Sequence, residues 1–116
     1  MKKILITGGD GRLASELKKS KFSHKLIFCN RKTLNILSTN SIKKNLKKFK
    51  PSVIFHLAGL SRPMKMHDKN IIKSIELNII GTCNLVMECY KQNIKFIYFS
   101  TNYIYPGTRG NYKEDD

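Results

Sequence analysis

One short stretch at the start of the chain restricts the fold more than anything after it. Lys2-Lys3-Ile4-Leu5-Ile6-Thr7 reads as an apolar strand, and it runs without a spacer into Gly8-Gly9-Asp10-Gly11-Arg12-Leu13-Ala14, where Leu13 and Leu17 take up helical spacing. Glycine admits positive φ and leaves no Cβ between the backbone and a pyrophosphate, while a helix start offers unpaired N–H groups at the positive end of its dipole. Two registers fit, Gly9-x-Gly11-x-x-Ala14 and Gly8-x-x-Gly11-x-x-Ala14, and the small Ala14 lets the helix pack closely on the strand. Strand, glycine turn and helix in this order form a dinucleotide cradle, with Gly8, Gly9, Asp10, Gly11, Arg12 and Leu13 as its contacts. An ordinary glycine-rich turn is the plainer alternative.

At 116 residues the chain has room for one domain, 1–116, small for an open α/β sheet but large enough for a core. Its 22 basic and 8 acidic residues give a formal net charge of +14. Such a charge ordinarily points to nucleic acid or an anionic membrane. Here 18 of the 22 are lysine, and lysine, isoleucine and asparagine are abundant together, as an A+T-rich coding sequence produces. The densest run, Lys43 to Lys50, carries Ile42, Leu46 and Phe49 at helical spacing and reads as the solvated face of an amphipathic helix. Nucleic acid is therefore not the expected partner. The apolar run Ile4–Ile6 is too short for a signal peptide or a membrane span, and the expectation is a cytoplasmic protein with no membrane partner. Cys29, Cys83 and Cys89 are odd in number and lack metal-ligand spacing, which reads as buried thiols; His24, His56 and His67 are scattered, and no metal is expected.

Beyond a first helix at about residues 11–20, Lys25–Cys29 reads as a second strand, Leu34–Ile36 as a brief third, and Ser52–Leu57 as a fourth that is apolar throughout, as in a strand covered on both faces. Ser38 or Asn40 can cap the lysine-rich helix, which ends near Lys50 before Pro51. A long helical pattern from Asp68 to Asn93 includes Ile71, Ile75, Ile79, Leu85 and Val86, and Lys95–Ser100 is the last strand. Alternating strands and helices predict an α/β fold, a Rossmann-type doubly wound parallel sheet that stops after its fifth strand. Ligands of such sheets lie at the carboxyl ends of the strands, so Gly8–Ala14, Leu57-Ala58-Gly59 and Ser100-Thr101-Asn102-Tyr103 are expected to converge on one crevice.

At the end of the second strand, where an acidic residue would accept a ribose 2′-hydroxyl, the chain has Asn30-Arg31-Lys32. Arg31 can fork onto a 2′-phosphate and Lys32 adds charge, so NADP is expected in preference to NAD. The alternative is that both are ordinary surface charge in a lysine-rich protein.

Taken together, these segments resemble the extended short-chain dehydrogenase/reductases that act on nucleotide sugars, and within them the dTDP-4-dehydrorhamnose reductase branch. The resemblance rests on Ile4–Ala14, Arg31–Ile36, Val53–Gly59, Asn78–Leu85 and Ser100–Gly107, in the family's order along the whole chain. It implies that Leu57, Ala58 and Gly59 run beside the pyrophosphate and nicotinamide ribose, and that Asn35 and Ile36 sit at the adenine. It also implies that Ser100 belongs to the cofactor site. Asn78 matches a helix asparagine that holds backbone geometry and a water, a plain polar helix-face residue being the alternative. Thr101 matches the hydroxyl that hydrogen-bonds the substrate's reacting oxygen. Asn102, where the family has aspartate, and Tyr103 would face the nucleotide-sugar substrate; Tyr103 and Tyr105 could equally serve packing.

In this family a tyrosine donates the proton as hydride arrives, and a lysine one helical turn later lowers its pKa. None of Tyr90, Tyr98, Tyr103, Tyr105 or Tyr112 has a lysine four residues on. The resemblance places that pair beyond Asp116, so the expectation is the NAD(P)-binding N-terminal portion of a nucleotide-sugar reductase, ending before the proton donor and the C-terminal substrate-binding part, and by itself binding dinucleotide weakly or not at all and lacking turnover. An epimerase or dehydratase portion shares these features. So does a non-catalytic binding subunit of the same fold, such as the reductase-like regulatory partner of methionine adenosyltransferase. Strands missing after Phe96–Phe99 would leave an apolar edge through which copies associate.

Overall fold

The computed structural model describes residues 1–61 and 63–116, and of Asn102 the backbone alone. Four strands, β1 (Lys3–Thr7), β2 (Lys25–Cys29), β3 (Val53–His56) and β4 (Lys95–Tyr98), form one parallel sheet in the order β2-β1-β3-β4. The register aligns Cys29, Thr7, His56 and Tyr98 as a single row across the carboxyl ends of the strands. All three segments expected to meet emerge next to that row.

Side-chain alternation along the strands divides the core into two layers. Ile4, Ile6 and Val53 pack with Ala14 and Leu17 of α1 (Arg12–Lys19) on one face. Leu5 and Ile54 pack on the other with Ile42 and Leu46 of α2 (Thr39–Phe49) and with Leu85 and Cys89 of α5 (Gly81–Lys91). Helices on both faces make the sheet doubly wound. The lysines of α2 stay outside while Ile42 and Leu46 are fully buried, as its spacing requires. Ser38 caps this helix, its hydroxyl accepting from Ser41 N–H at 3.2 Å. Lys50 ends it in the left-handed region, at φ 47°, just before Pro51.

The brief strand expected at Leu34–Ile36 does not form, so among the described residues the sheet has four strands and not five. Its backbone groups are already engaged nearby: Leu34 N–H donates to Asn30 C=O at 2.9 Å and Asn35 N–H to Ser41 Oγ at 3.0 Å. Leu34 and Ile36 are apolar because they plug the core from a loop. The long helix expected over Asp68–Asn93 is also modified. It begins earlier, as α3 (Lys65–Lys69), and breaks at Asn70, whose side chain caps α4 (Ile71–Ile75) by accepting from Lys73 N–H at 3.1 Å. A π-helical turn, Glu76–Ile80, then joins α4 to α5. The wider turn changes which face meets the sheet. Leu85 is buried, whereas Ile71, Ile75 and Ile79 are exposed. Of the three cysteines expected to be buried, Cys29 and Cys89 are, but Cys83 is exposed on α5. No helix among the described residues is long and apolar enough to cross a membrane.

Leu5 is fully buried at the centre of the sheet. Leu5→Ala is expected to cost about 2–5 kcal/mol in chemical denaturation, the range for a leucine truncated in a packed core.

Candidate functional site

β1 hands over to α1 through a turn that glycine alone fits. Gly8 sits at φ +67°, and a Cβ there would meet Ala58 N at 2.8 Å and the Leu57 carbonyl at 2.9 Å. Both the left-handed backbone and the approach to the β3 exit exclude a side chain. Gly9 lies against the end of β2, donating its N–H to Cys29 C=O at 2.9 Å. Gly11 N–H closes the turn on Gly8 C=O at 2.9 Å. Gly11 is also the N-cap of α1 and supplies no side-chain acceptor, so the first-turn N–H groups have no side-chain cap. Asp10 and Arg12 are exposed beside it, and Ala14 is fully buried against the sheet.

Across the row of strand ends runs a hydrogen-bond chain whose protons can be assigned by accounting. Thr82 O–H donates to Asn78 C=O at 2.9 Å, so Thr82 Oγ1 accepts from His56 Nε2–H, also at 2.9 Å. His56 Nδ1 is then the acceptor for Thr7 O–H at 2.8 Å. Thr7 Oγ1 in turn accepts the N–H groups of Leu57 and Ala58, both at 3.1 Å. Every polar atom of the chain is satisfied with the imidazole neutral. Burial lowers the His56 pKa to about 4 from 6.5. His56 belongs to no motif; its signal in the sequence is a polar residue near the end of each of two apolar strands, which the register pairs, Thr7 with His56.

The loop leaving β3 is held from its other side by Asn78, in the π turn. Its Oδ1 accepts Leu60 N–H at 2.7 Å, and its Nδ2 donates to Leu60 C=O at 2.9 Å. Gly59 gives the amide room, since a Cβ there would lie 2.9 Å from Asn78 Oδ1. The side chain is thus a backbone clamp, more than a polar residue on a helix face.

Between this loop and the β4 exit opens a crevice of about 860 Å³, in the size range of small-molecule sites. Leu13, Leu57, Ala58, Gly59, Asn78, Ser100, Thr101 and Tyr103 all line it, so it gathers the residues expected at the β3 exit, three of those expected after β4, Asn78 and Leu13. It also takes in residues that no spacing announced, among them His56, His67, Tyr98 and Phe99. Thr101 is exposed, its Oγ1 accepting Tyr103 N–H at 3.2 Å in a local turn. The Asn102 side chain, expected on the sugar side, lies outside what is described.

Gly8 to Arg12 border the crevice without lining it. Asn30 organises the turn after β2: its Oδ1 accepts the N–H groups of Lys32 at 3.0 Å and Thr33 at 3.1 Å, leaving Arg31 and Lys32 exposed at the tip. Neither is in an ion pair among the described residues. Asn35 and Ile36 are set apart from the crevice. Asn35 Oδ1 accepts Leu37 N–H at 3.0 Å, and the Ile36 side chain is buried in the core next to Gly81. Among the described residues the Asn35 side-chain NH₂ has no hydrogen-bond partner and is free for a ligand. Burial raises the Cys29 thiol pKa and, with Glu88 adding repulsion, pushes Cys89 up to about 11, so neither supplies a thiolate at neutral pH.

A parallel sheet wound on both faces, with a glycine turn at the end of β1 and a crevice at the carboxyl ends of the strands, defines a Rossmann-type α/β protein. Residues 1–116 match the RmlD substrate binding domain family, and the chain belongs to it. It is 25% identical over 120 residues to the dTDP-4-dehydrorhamnose reductase of Aggregatibacter actinomycetemcomitans, covering all of this chain and 40% of that protein. It is 34% identical over 82 residues to the methionine adenosyltransferase 2 subunit beta of Xenopus tropicalis, covering 71% of this chain and 24% of that one. Among solved structures, the dTDP-4-dehydrorhamnose reductase of Bacillus anthracis in complex with NADP superimposes with a TM-score of 0.87 at 22% identity, over 94% of this chain and 40% of that chain. The chain therefore spans from about a quarter to two fifths of the length of these relatives.

The His56 chain makes stability depend on pH in a definite direction. A folded-state pKa of about 4 against 6.5 when unfolded means that the unfolded chain binds the proton first as pH falls. Stability contributed by neutral His56 is complete above pH 6.5 and declines towards pH 4, by about 3 kcal/mol in all. Denaturation across this window, compared with His56→Phe, should show the wild type losing more stability on acidification; parallel pH profiles would refute the assignment.

Proposed function

We propose that this chain is the NADP-binding portion of a nucleotide-sugar reductase of the dTDP-4-dehydrorhamnose reductase kind. The observation that carries the reading is the convergence of the glycine turn, the β3 exit and Ser100–Tyr103 at one row of strand ends. The residues present suit a dinucleotide. Gly8, Gly9 and Gly11 let the turn pack directly on the β3 exit and the end of β2, and the uncapped start of α1 favours an anion. Arg31 and Lys32 would take the 2′-phosphate, and Asn30 would hold their turn in place. Asn35 and the Ile36 backbone would border the adenine. Leu57, Ala58, Gly59 and Ser100 would flank the nicotinamide half, with Asn78 fixing the loop.

When bound, NADPH supplies the hydride for a 4-keto sugar nucleotide. Thr101 would hydrogen-bond the substrate's reacting oxygen, and Asn102 and Tyr103 would face the sugar. This chain contains no Tyr-x-x-x-Lys pair to deliver the proton, so we expect no turnover from it by itself. With Tyr98 and Phe99 exposed along outermost β4, association through that edge is part of the reading, and a cytoplasmic location accords with it.

A second reading, a non-catalytic binding subunit of the same fold, is favoured by the 34% identity to a methionine adenosyltransferase subunit. Cofactor binding without turnover inside a stable complex would support it over the first.

The test is a titration with NADPH and NADH. NADPH should bind about 10-fold tighter, the scale of one charge-assisted contact, and Arg31→Ala with Lys32→Ala should remove the preference. Equal affinities in the wild-type chain would refute the 2′-phosphate role. Reduction of a dTDP-4-keto sugar by the purified chain would refute its inactivity.

A further inference from the structure

His67, in α3, lines the crevice together with Met64, Thr101 and Tyr103. Its ring is held by one edge. Nδ1 lies 2.6 Å from Ser74 Oγ of α4, and Ser74 Oγ is 3.4 Å from Asn78 Nδ2. The orientation of the Asn78 amide is fixed by its two bonds to the Leu60 backbone, so the group facing Ser74 is the NH₂ donor. Ser74 Oγ therefore accepts from Asn78 and has its own proton to give to His67 Nδ1. The neutral ring then carries its proton on Nε2. If the ring is protonated, Nδ1–H donates to Ser74 and Nε2 keeps its proton. In both states Nε2–H is a donor, and among the described residues it has no hydrogen-bond partner.

We propose that His67 is a substrate-binding residue: Nε2–H donates to an oxygen of the sugar nucleotide, with Ser74 and Asn78 fixing the ring for that task. The assignment rests on the sugar-nucleotide reading above, but it concerns a residue which neither the glycine turn nor the strand ends contain. Asn78 joins the two halves of the site, with one amide clamping the β3 exit and anchoring Ser74. A ligand oxygen at Nε2 would be met by a pre-positioned neutral or cationic donor, whereas a freely rotating histidine would lose side-chain entropy on binding.

The experiment is long-range ¹H–¹⁵N correlation spectroscopy on the full chain, which has three histidines, titrated first with NADP⁺ and then with dTDP-glucose. Expected are the Nε2–H tautomer for His67 before any ligand, and a shift of its Nε2 resonance on adding dTDP-glucose. His67→Phe should weaken dTDP-glucose about 2- to 10-fold, the scale of one hydrogen bond, with NADP⁺ affinity unchanged. His67→Gln, which keeps a donor, should recover part of the loss, and Ser74→Ala should mix the tautomers. A dominant Nδ1–H tautomer, an Nε2 resonance indifferent to dTDP-glucose, or full affinity in His67→Phe would each overturn the proposal. Failure of NADP⁺ to move the amides of Gly8–Ala14 would instead count against the cofactor reading, so the two failures are distinguishable.

Discussion

The fold depends on what happens to the Thr7 hydroxyl. A parallel sheet leaves its strand ends without ladder partners just where the connecting loops diverge, and those N–H groups must be satisfied. Here one side chain at the end of β1 takes the N–H groups of Leu57 and Ala58, then passes its own proton to His56. His56 extends the chain to Thr82, and Thr82 to the Asn78 carbonyl. Two strands and the helix above them are locked by bonds that share no donor. The same lock brings Gly8 against the Leu57–Ala58 backbone, where a methyl group has no space. The glycine requirement at position 8 is therefore tertiary as much as conformational.

Features governed by local chemistry were legible in the sequence. The glycine turn, the amphipathic α2 with its Ser38 cap, and the apolar strands flanking them follow from spacing and residue type. Features governed by packing were not. Leu34 and Ile36 are spaced like a strand, yet Asn30 and Ser41 take up the local backbone groups, and the two side chains fill the core from a loop. The pattern over Asp68–Asn93 is helical throughout, but periodicity of 3.6 cannot register a π turn, whose extra residue moves Leu85 inward and leaves Ile79 outside. His56 and His67 had no ligand-like spacing because their partners, Thr7, Thr82 and Ser74, are defined by the fold and by neutral hydroxyls, not by a motif.

The charge of the chain takes a different meaning once the fold is known. Lysines on α2 cover a helix whose inner face is fully buried, which is what solubility of a small domain requires. Arg31 and Lys32 are distinguished from them by position alone. They occupy the tip of a turn organised by Asn30, one strand away from the glycine turn, and Gly9 fixes that neighbourhood through its bond to the Cys29 carbonyl. Composition could raise the question of an anionic partner; the sequence order singles out Arg31 and Lys32 after the second strand, and the sheet order sets that strand end beside the glycine turn.

Rigidity is distributed unevenly around the crevice, and the distribution has a chemical consequence. The glycine turn and β3 exit are tied by backbone bonds, by Thr7 and His56, and from the far side by Asn78. The β4 exit is tied more lightly: Phe99 meets Phe55 edge-on, the Thr101 hydroxyl accepts Tyr103 N–H two residues on, and Tyr103 is 78% exposed. A ligand spanning the crevice would thus find one end pre-organised and pay for ordering at the other. The π turn explains how one asparagine can serve both ends. Widening the helix at Glu76–Ile80 sets Asn78 within reach of Leu60 and of Ser74, so the amide that completes the rigid wall also anchors the residue holding His67 on the softer side. Loss of that amide would therefore loosen both halves together, whereas loss of His67 would touch one alone.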